Sequence, residues 1–157
     1  MEHEYHYSID TTWTGNSGSG TTDYRSYTRD HEICAEGKIA PVPGSSDKAF
    51  LGDPARYNPE ELLVASLSAC HMLWFLHLCA EAGIVVTDYR DSATGTMAQH
   101  TDGSGEFTRV TLHPHVVITS PDRIAEVAEL HAKAHHLCFI ARSVNFLVEH
   151  EPVVKSL

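Results

Sequence analysis

Asn58-Pro-Glu-Glu-Leu-Leu-Val-Ala-Ser-Leu-Ser-Ala-Cys-His-Met-Leu-Trp-Phe-Leu-His-Leu-Cys-Ala-Glu-Ala-Gly83 contains the start, body and stop of one long helix. Asn58 is an N-cap residue, Pro59 is pre-organised for the first helical position, and Glu60 and Glu61 place negative charge at the positive end of the helix dipole. Glu61 stands three residues after Asn58, the spacing of a reciprocal capping box. Gly83 is the left-handed stop. Between Glu61 and Glu81 there is no charged residue, and apolar side chains fall on every face. A helix apolar all round is buried in a core or crosses a membrane. Ser66, Ser68, His71 and His77 interrupt the run, which favours a central buried helix with Cys70 at its middle.

Working outward, 157 residues are most simply one domain, 1–157, able to bury about two-thirds of the surface of its unfolded chain. A formal charge of −10 argues against nucleic acid or an anionic membrane as partner, since both call for a basic patch. The opening Met-Glu-His-Glu-Tyr-His-Tyr lacks the basic and apolar regions of a secretory signal. Four cysteines in such a chain read as reduced, chemically used thiols rather than a disulfide framework, and the expected compartment is cytoplasmic.

Residues 4–13 alternate loosely and read as a strand, with Asn16 to Gly20 as turn chemistry and a hairpin partner from Thr21 towards Ile33. Residues 35–57 carry prolines at 41, 43 and 54 and no period, as a functional loop or a disordered one would. After the central helix, Ile84 to Ala98 and Glu106 to Thr119 read as strands joined by a turn at Asp102-Gly-Ser-Gly105. Ser120-Pro-Asp122 starts a second helix, whose apolar positions keep a helical period up to Cys138. A final strand covers Val144 to Val154, with Pro152 marking an edge. Strands, helix, strands, helix and strand make an α+β arrangement.

The string Asn58-Pro59-Glu60-Glu61-Leu62-Leu63, followed by Ser68-Ala69-Cys70, resembles the signature of the OsmC/Ohr family, the osmotically inducible and organic hydroperoxide resistance proteins. Cys138 stands where that family has its second thiol, and the glycine-rich Trp13 to Thr21 is similar to its first hairpin. The resemblance implies antiparallel sheets wrapped around central buried helices in an intertwined homodimer. An all-round apolar helix in so short a chain independently points to a core shared with a second copy.

Chemistry falls first to the cysteines. Cys70 and Cys79, nine residues apart, face opposite sides of one helix and cannot join each other. Cys79 reads as a small core hydrophobe, and Cys34 has no visible task. A thiol at mid-helix is too far from the N-terminus for the dipole to activate it, so a cation must come from elsewhere. The family supplies an arginine from its first hairpin, but here that string is Ser17-Gly-Ser-Gly-Thr21. Arg29 and Arg56 are the expected substitutes, with Arg142 a third candidate if the second helix continues past Cys138. Glu60 matches the family's arginine-orienting glutamate. It lies about 15 Å along the axis from Cys70, so one helix cannot bring both into one small site.

Histidines offer a rival constellation. His131, His135 and Cys138 share a helical face, and His77 follows Cys70 by seven residues, a set that would suit zinc. No Cys-x-x-Cys knuckle supports it, and the reading carries no metal and no organic cofactor.

The expectation is therefore a thiol peroxidase: Cys70 reduces an organic hydroperoxide, Cys138 closes a disulfide, and an external dithiol of lipoyl type restores both thiols. Leu73, Trp74, Phe75 and Phe139 are the apolar neighbours expected to favour fatty or aromatic substrates. The competing expectation is a stress-response protein that binds a small molecule or metal in the same dimer pocket without turnover.

Overall fold

A computed structural model describes residues 3–157. Met1 and Glu2, which belong to the stretch read for a leader, lie outside the described residues. The chain packs as two compact units, 1–62 and 63–157.

In the first unit, β1 (Asp10–Trp13), β2 (His31–Cys34) and β3 (Val42–Gly44) form an antiparallel sheet in that order. Trp13 pairs with His31, and the long β1–β2 connection folds back on itself. Asn16 Oδ1 accepts from the backbone N–H groups of Gly18 and Gly20, and Trp13 Nε1 donates to the Thr28 carbonyl. The strand expected over 4–13 is thus shorter, because residues 3–9 lie outside the ladder. Residues 35–57 contain β3 and a 3₁₀ turn at Lys48–Phe50.

The central helix α1 (Pro59–Glu81) begins and ends as its sequence dictates. Asn58 Oδ1 accepts from the Glu61 N–H at 2.7 Å while Glu61 Oε2 accepts from the Asn58 N–H at 3.1 Å, a complete capping box. At the far end Gly83 has φ 68°, and the Ile84 N–H reaches back to the Cys79 carbonyl.

The second unit holds six strands. They are β4 (Val86–Asp91), β5 (Thr94–Gln99), β6 (Gly105–Leu112), β7 (Pro114–Ile118), β8 (Leu147–His150) and β9 (Val153–Ser156). Each of the two long strands expected between Ile84 and Thr119 breaks once, and the expected final strand divides at Pro152, which has no N–H to continue a ladder. One sheet runs β4-β7-β9 and the other β5-β6-β8. The β4·β7 and β5·β6 pairs are antiparallel, whereas β6·β8 and β7·β9 are parallel. Both sheets are therefore mixed rather than wholly antiparallel. The helix α2 (Ile124–Leu137), entered through a 3₁₀ turn at Pro121–Arg123, provides the long crossover that parallel pairing needs.

One face of α1 serves two apolar clusters. Leu67 packs with Val110, Leu112 and Val148 of β6 and β8. Phe75, Leu78 and Cys79 pack with Ile84, with Val116 and Ile118 of β7, and with Val127 and Ala134 of α2. Ala65, Ala69, Leu73 and Ala80 form an exposed apolar face of the same helix. Among the described residues α1 is the one helix long and apolar enough to cross a membrane, and 28% of its most apolar window is buried within the chain.

Candidate thiol active site

Cys70 is carried at mid-α1 and is half-buried, while Cys138 caps α2 and is 1% exposed. The two thiols lie near disulfide distance, and both are free. The backbone around Cys138 is closely held. Its N–H donates to the His135 carbonyl at 3.3 Å, its carbonyl accepts from the Arg142 N–H, and its sulfur accepts from the Ala141 N–H at 3.4 Å. Burial, followed by a hydrogen bond to Cys70, pushes the Cys138 thiol up to about 11. At neutral pH Cys138 is thus protonated, with the Cys70 sulfur beside it.

The other cysteines separate as their environments require. Cys79 is buried in the core, and burial raises its thiol to about 11, leaving it inert. Cys34 is exposed on β2.

The expected cations have partners within the first unit. Arg29 donates to the carbonyls of Tyr24 and Tyr27 at 2.6 and 2.7 Å, and its guanidinium lies over both tyrosine rings, 4.3 and 4.2 Å from their centroids. Arg56 sits 3.7 Å from Asp30 and 3.9 Å from Asp53. Glu60 has no ion-pair partner within 4.0 Å among the described residues. Arg142 does not continue α2, because the helix stops at Leu137 and Arg142 lies exposed in a 3₁₀ turn.

The apolar neighbours divide. Trp74 meets Phe139 edge-on at 5.7 Å, and Leu73 and Phe139 are 63% and 62% exposed. Leu73, Trp74 and His77 line an open apolar cavity of about 330 Å³. Phe75 is instead fully buried against Tyr89 and His131, so it belongs to the core and cannot line a substrate pocket.

The zinc constellation does not assemble. His77 is exposed and pairs with Glu81 at 3.4 Å, and among the described residues no three His, Cys, Asp or Glu side chains are arranged to hold a metal ion. His131 and His135 group with His71 and His150 instead. The sequence reading missed His71 and His150. A signal for His71 existed in its spacing of four from both Leu67 and Phe75, but a helix apolar on every face hides which face is the core.

A mixed α+β unit that brings two thiols from separate helices together defines a thiol-based redox protein. The chain belongs to the OsmC/Ohr family: the model of the family described as OsmC-like protein matches residues 52–151. It is 33% identical to an OsmC-like protein of unknown function from Vibrio cholerae, with a TM-score of 0.85 over 96% of this chain and 100% of that one. An OsmC-like protein from Mycoplasma pneumoniae shares the fold at 14% identity and TM-score 0.73, over 97% of this chain and 99% of that one. So does an organic hydroperoxide resistance protein from Elizabethkingia anophelis, at 21% identity and TM-score 0.67, over 99% of this chain and 100% of that one. No curated protein matches the chain.

Proposed function

We propose that the protein is a cytoplasmic organic hydroperoxide reductase acting as a homodimer. The observation that carries this reading is the pair of free thiols, Cys70 and Cys138, held near disulfide distance. Cys70, as thiolate, attacks the distal peroxide oxygen. The O–O bond breaks, the alkoxide takes a proton and leaves as alcohol, and Cys70 becomes a sulfenic acid. Cys138 then attacks that sulfur, its thiol proton leaves with the hydroxyl as water, and a Cys70–Cys138 disulfide forms. An external dithiol, of lipoyl type by family resemblance, returns both thiols.

In this reading Arg29, or failing it Arg56, supplies the cation at Cys70, and the Glu60 that orients that guanidinium comes from the second copy, since one helix cannot bring both Glu60 and Cys70 into one site. The exposed apolar face of α1 meets a second copy, and Leu73, Trp74 and Phe139 receive the apolar part of the substrate.

The test is consumption of cumene or linoleic hydroperoxide by the reduced protein with a dithiol, together with a free-thiol count before and after one equivalent of peroxide. Turnover and a loss of two thiols per chain are expected. Absence of turnover with every dithiol tried would overturn the peroxidase reading.

A second reading is a non-catalytic stress-response protein that binds a small molecule or metal. It is favoured by Ser17 standing at the hairpin position where the family has arginine, and by the engaged state of Arg29 and Arg56. Tight binding of an apolar ligand with no thiol loss on peroxide addition would support it instead.

A further inference from the structure

Where the two apolar clusters meet, four imidazoles stand in place of apolar side chains. His71 comes from α1, between Leu67 of one cluster and Phe75 of the other; His131 and His135 come from α2, and His150 from β8 opposite Leu112. His71 and His131 are 1% and 0% exposed. Their rings are nearly parallel with centroids 5.3 Å apart, and His71 Nε2 lies 3.0 Å from His131 Nδ1. His150 stands edge-on, 5.5 Å from His71 and 6.3 Å from His131, while His135 stacks on His150 at 5.4 Å. Phe75 covers His131 at 3.9 Å.

Counting protons shows what this cluster lacks. A neutral imidazole has one N–H and one lone pair. The His71–His131 contact uses one of each, so the pair retains one N–H and one lone pair at its outer ends. Those ends, His71 Nδ1 and His131 Nε2, are buried without a hydrogen-bond partner, as is His135 Nδ1. A proton added there would have no carboxylate to meet.

The charged groups on the surrounding elements are directed elsewhere. On α1, Glu81 pairs with exposed His77. On α2, Glu126 pairs with Arg123, and Glu129, Lys133 and His136 are exposed. On β8, Glu149 pairs with Arg109 of β6. On β4, the Asp91 carboxylate accepts from Ser68 and from the His113 N–H, and the buried Tyr89 hydroxyl has no partner. The Cys138 thiol lies beside Cys70, near disulfide distance.

We propose that the cluster of His71, His131 and His150, with His135 stacked beside it, is an acid-released latch: while His71, His131 and His150 are neutral it holds α2 and β8 against α1, and when they take up protons the elements separate and uncover Cys138. The link to the thiol is short: the His135 carbonyl accepts from the Cys138 N–H, at the last turn of α2. Burial, then the neighbouring imidazoles, holds His71 down at about 4 and His131 at about 3, and burial lowers His150 as well. The latch is thus closed at neutral pH and strained as acid accumulates. This holds whatever chemistry the thiols perform.

The experiment labels the reduced full-length Cys70→Ser protein, in which no neighbouring thiol can displace the label, with 4,4′-dithiodipyridine, which reacts with thiols in acid, from pH 7.5 to 4. Mass spectrometry reads Cys138 against exposed Cys34 as internal reference, and far-ultraviolet circular dichroism is followed in parallel. Labelling of Cys138 relative to Cys34 is expected to rise at least tenfold below pH 6.5 while helicity is retained. His71→Gln and His150→Gln, which keep hydrogen-bonding capacity without titrating, are expected to flatten that rise, and His77→Gln to leave it unchanged. If one glutamine variant fails to fold, the other carries the comparison, and the parent profile stands alone if both fail. The latch is overturned by a flat parent profile to pH 4, by exposure of Cys138 only together with loss of helicity, or by an unchanged rise in the folded glutamine variants.

Discussion

Cys138 and Cys79 have thiols raised to about the same value, yet only one has a sulfur partner. Cys138 is directed at Cys70, whereas Cys79 is enclosed by Phe75, Leu78 and Ile84. Under the proposed chemistry Cys70→Ser abolishes hydroperoxide turnover, Cys79→Ser leaves it within about twofold, and Cys138→Ser stalls after one peroxide with a sulfenic acid that dimedone traps. Equal losses in the Cys70 and Cys79 variants at preserved fold would remove the assignment. The cation is tested by Arg29→Ala and Arg56→Ala: loss of activity greatest at neutral pH, with partial recovery in alkali, marks the residue that serves Cys70. Unchanged pH profiles in both would exclude both arginines. Cys70 and the likeness to the family were legible in the sequence because the Asn-Pro-Glu-Glu-to-Cys spacing is local, and Cys138 was reached only through that likeness. The histidine cluster was not, because it joins residues up to 79 positions apart across three elements, and no local period encodes such a meeting.

At the scale of elements, the start of α1 could be read residue by residue, since capping is decided within four positions. Asn58→Ala removes the half of the box in which the Asn58 side chain accepts from the Glu61 N–H, and should lower stability by about 1 kcal/mol, measured by urea denaturation with an unchanged m-value. A difference below a few tenths of a kcal/mol would mean that the cap is satisfied by other groups. The two helices and the general course of the strands were likewise legible. Strand partners were not: the sequence pattern of β8 and β9 reads as one strand, and only tertiary pairing sends its halves to different sheets. Parallel pairing leaves no turn signal, because its connection is long and passes through α2.

For the whole molecule, the exposed Ala65, Ala69, Leu73 and Ala80 face requires a cover. We expect a homodimer at micromolar concentration that dissociates only on unfolding; sedimentation equilibrium giving a stable folded monomer would contradict it. Acid should also weaken the fold. His71 and His131 are depressed below the usual unfolded value of about 6.5, so unfolded chains bind protons that folded chains refuse. The contribution is fully present above pH 6.5 and is lost as pH falls towards about 4 for His71 and about 3 for His131. By pH 4 the loss from His71 is on the order of 3 kcal/mol, at 1.36 kcal/mol per pH unit. Thermal melting between pH 7 and 4 measures it, and a melting temperature constant over that range would refute neutral burial of the cluster.

The break at Pro152 carries a kinetic consequence. The short segment from Leu147 to Ser156 supplies the third strand of both sheets in the second unit, each paired in parallel with a strand from far earlier in the chain. Such pairings close large loops and are slow to form. While the polypeptide is being made, β6 and β7 remain edge strands with apolar Val110, Leu112, Val116 and Ile118 behind them until this last segment arrives. Unpaired edges of that kind invite association with other chains. A nascent chain arrested before Leu147 should therefore require a chaperone to stay dispersed, and release of ten further residues should end that dependence.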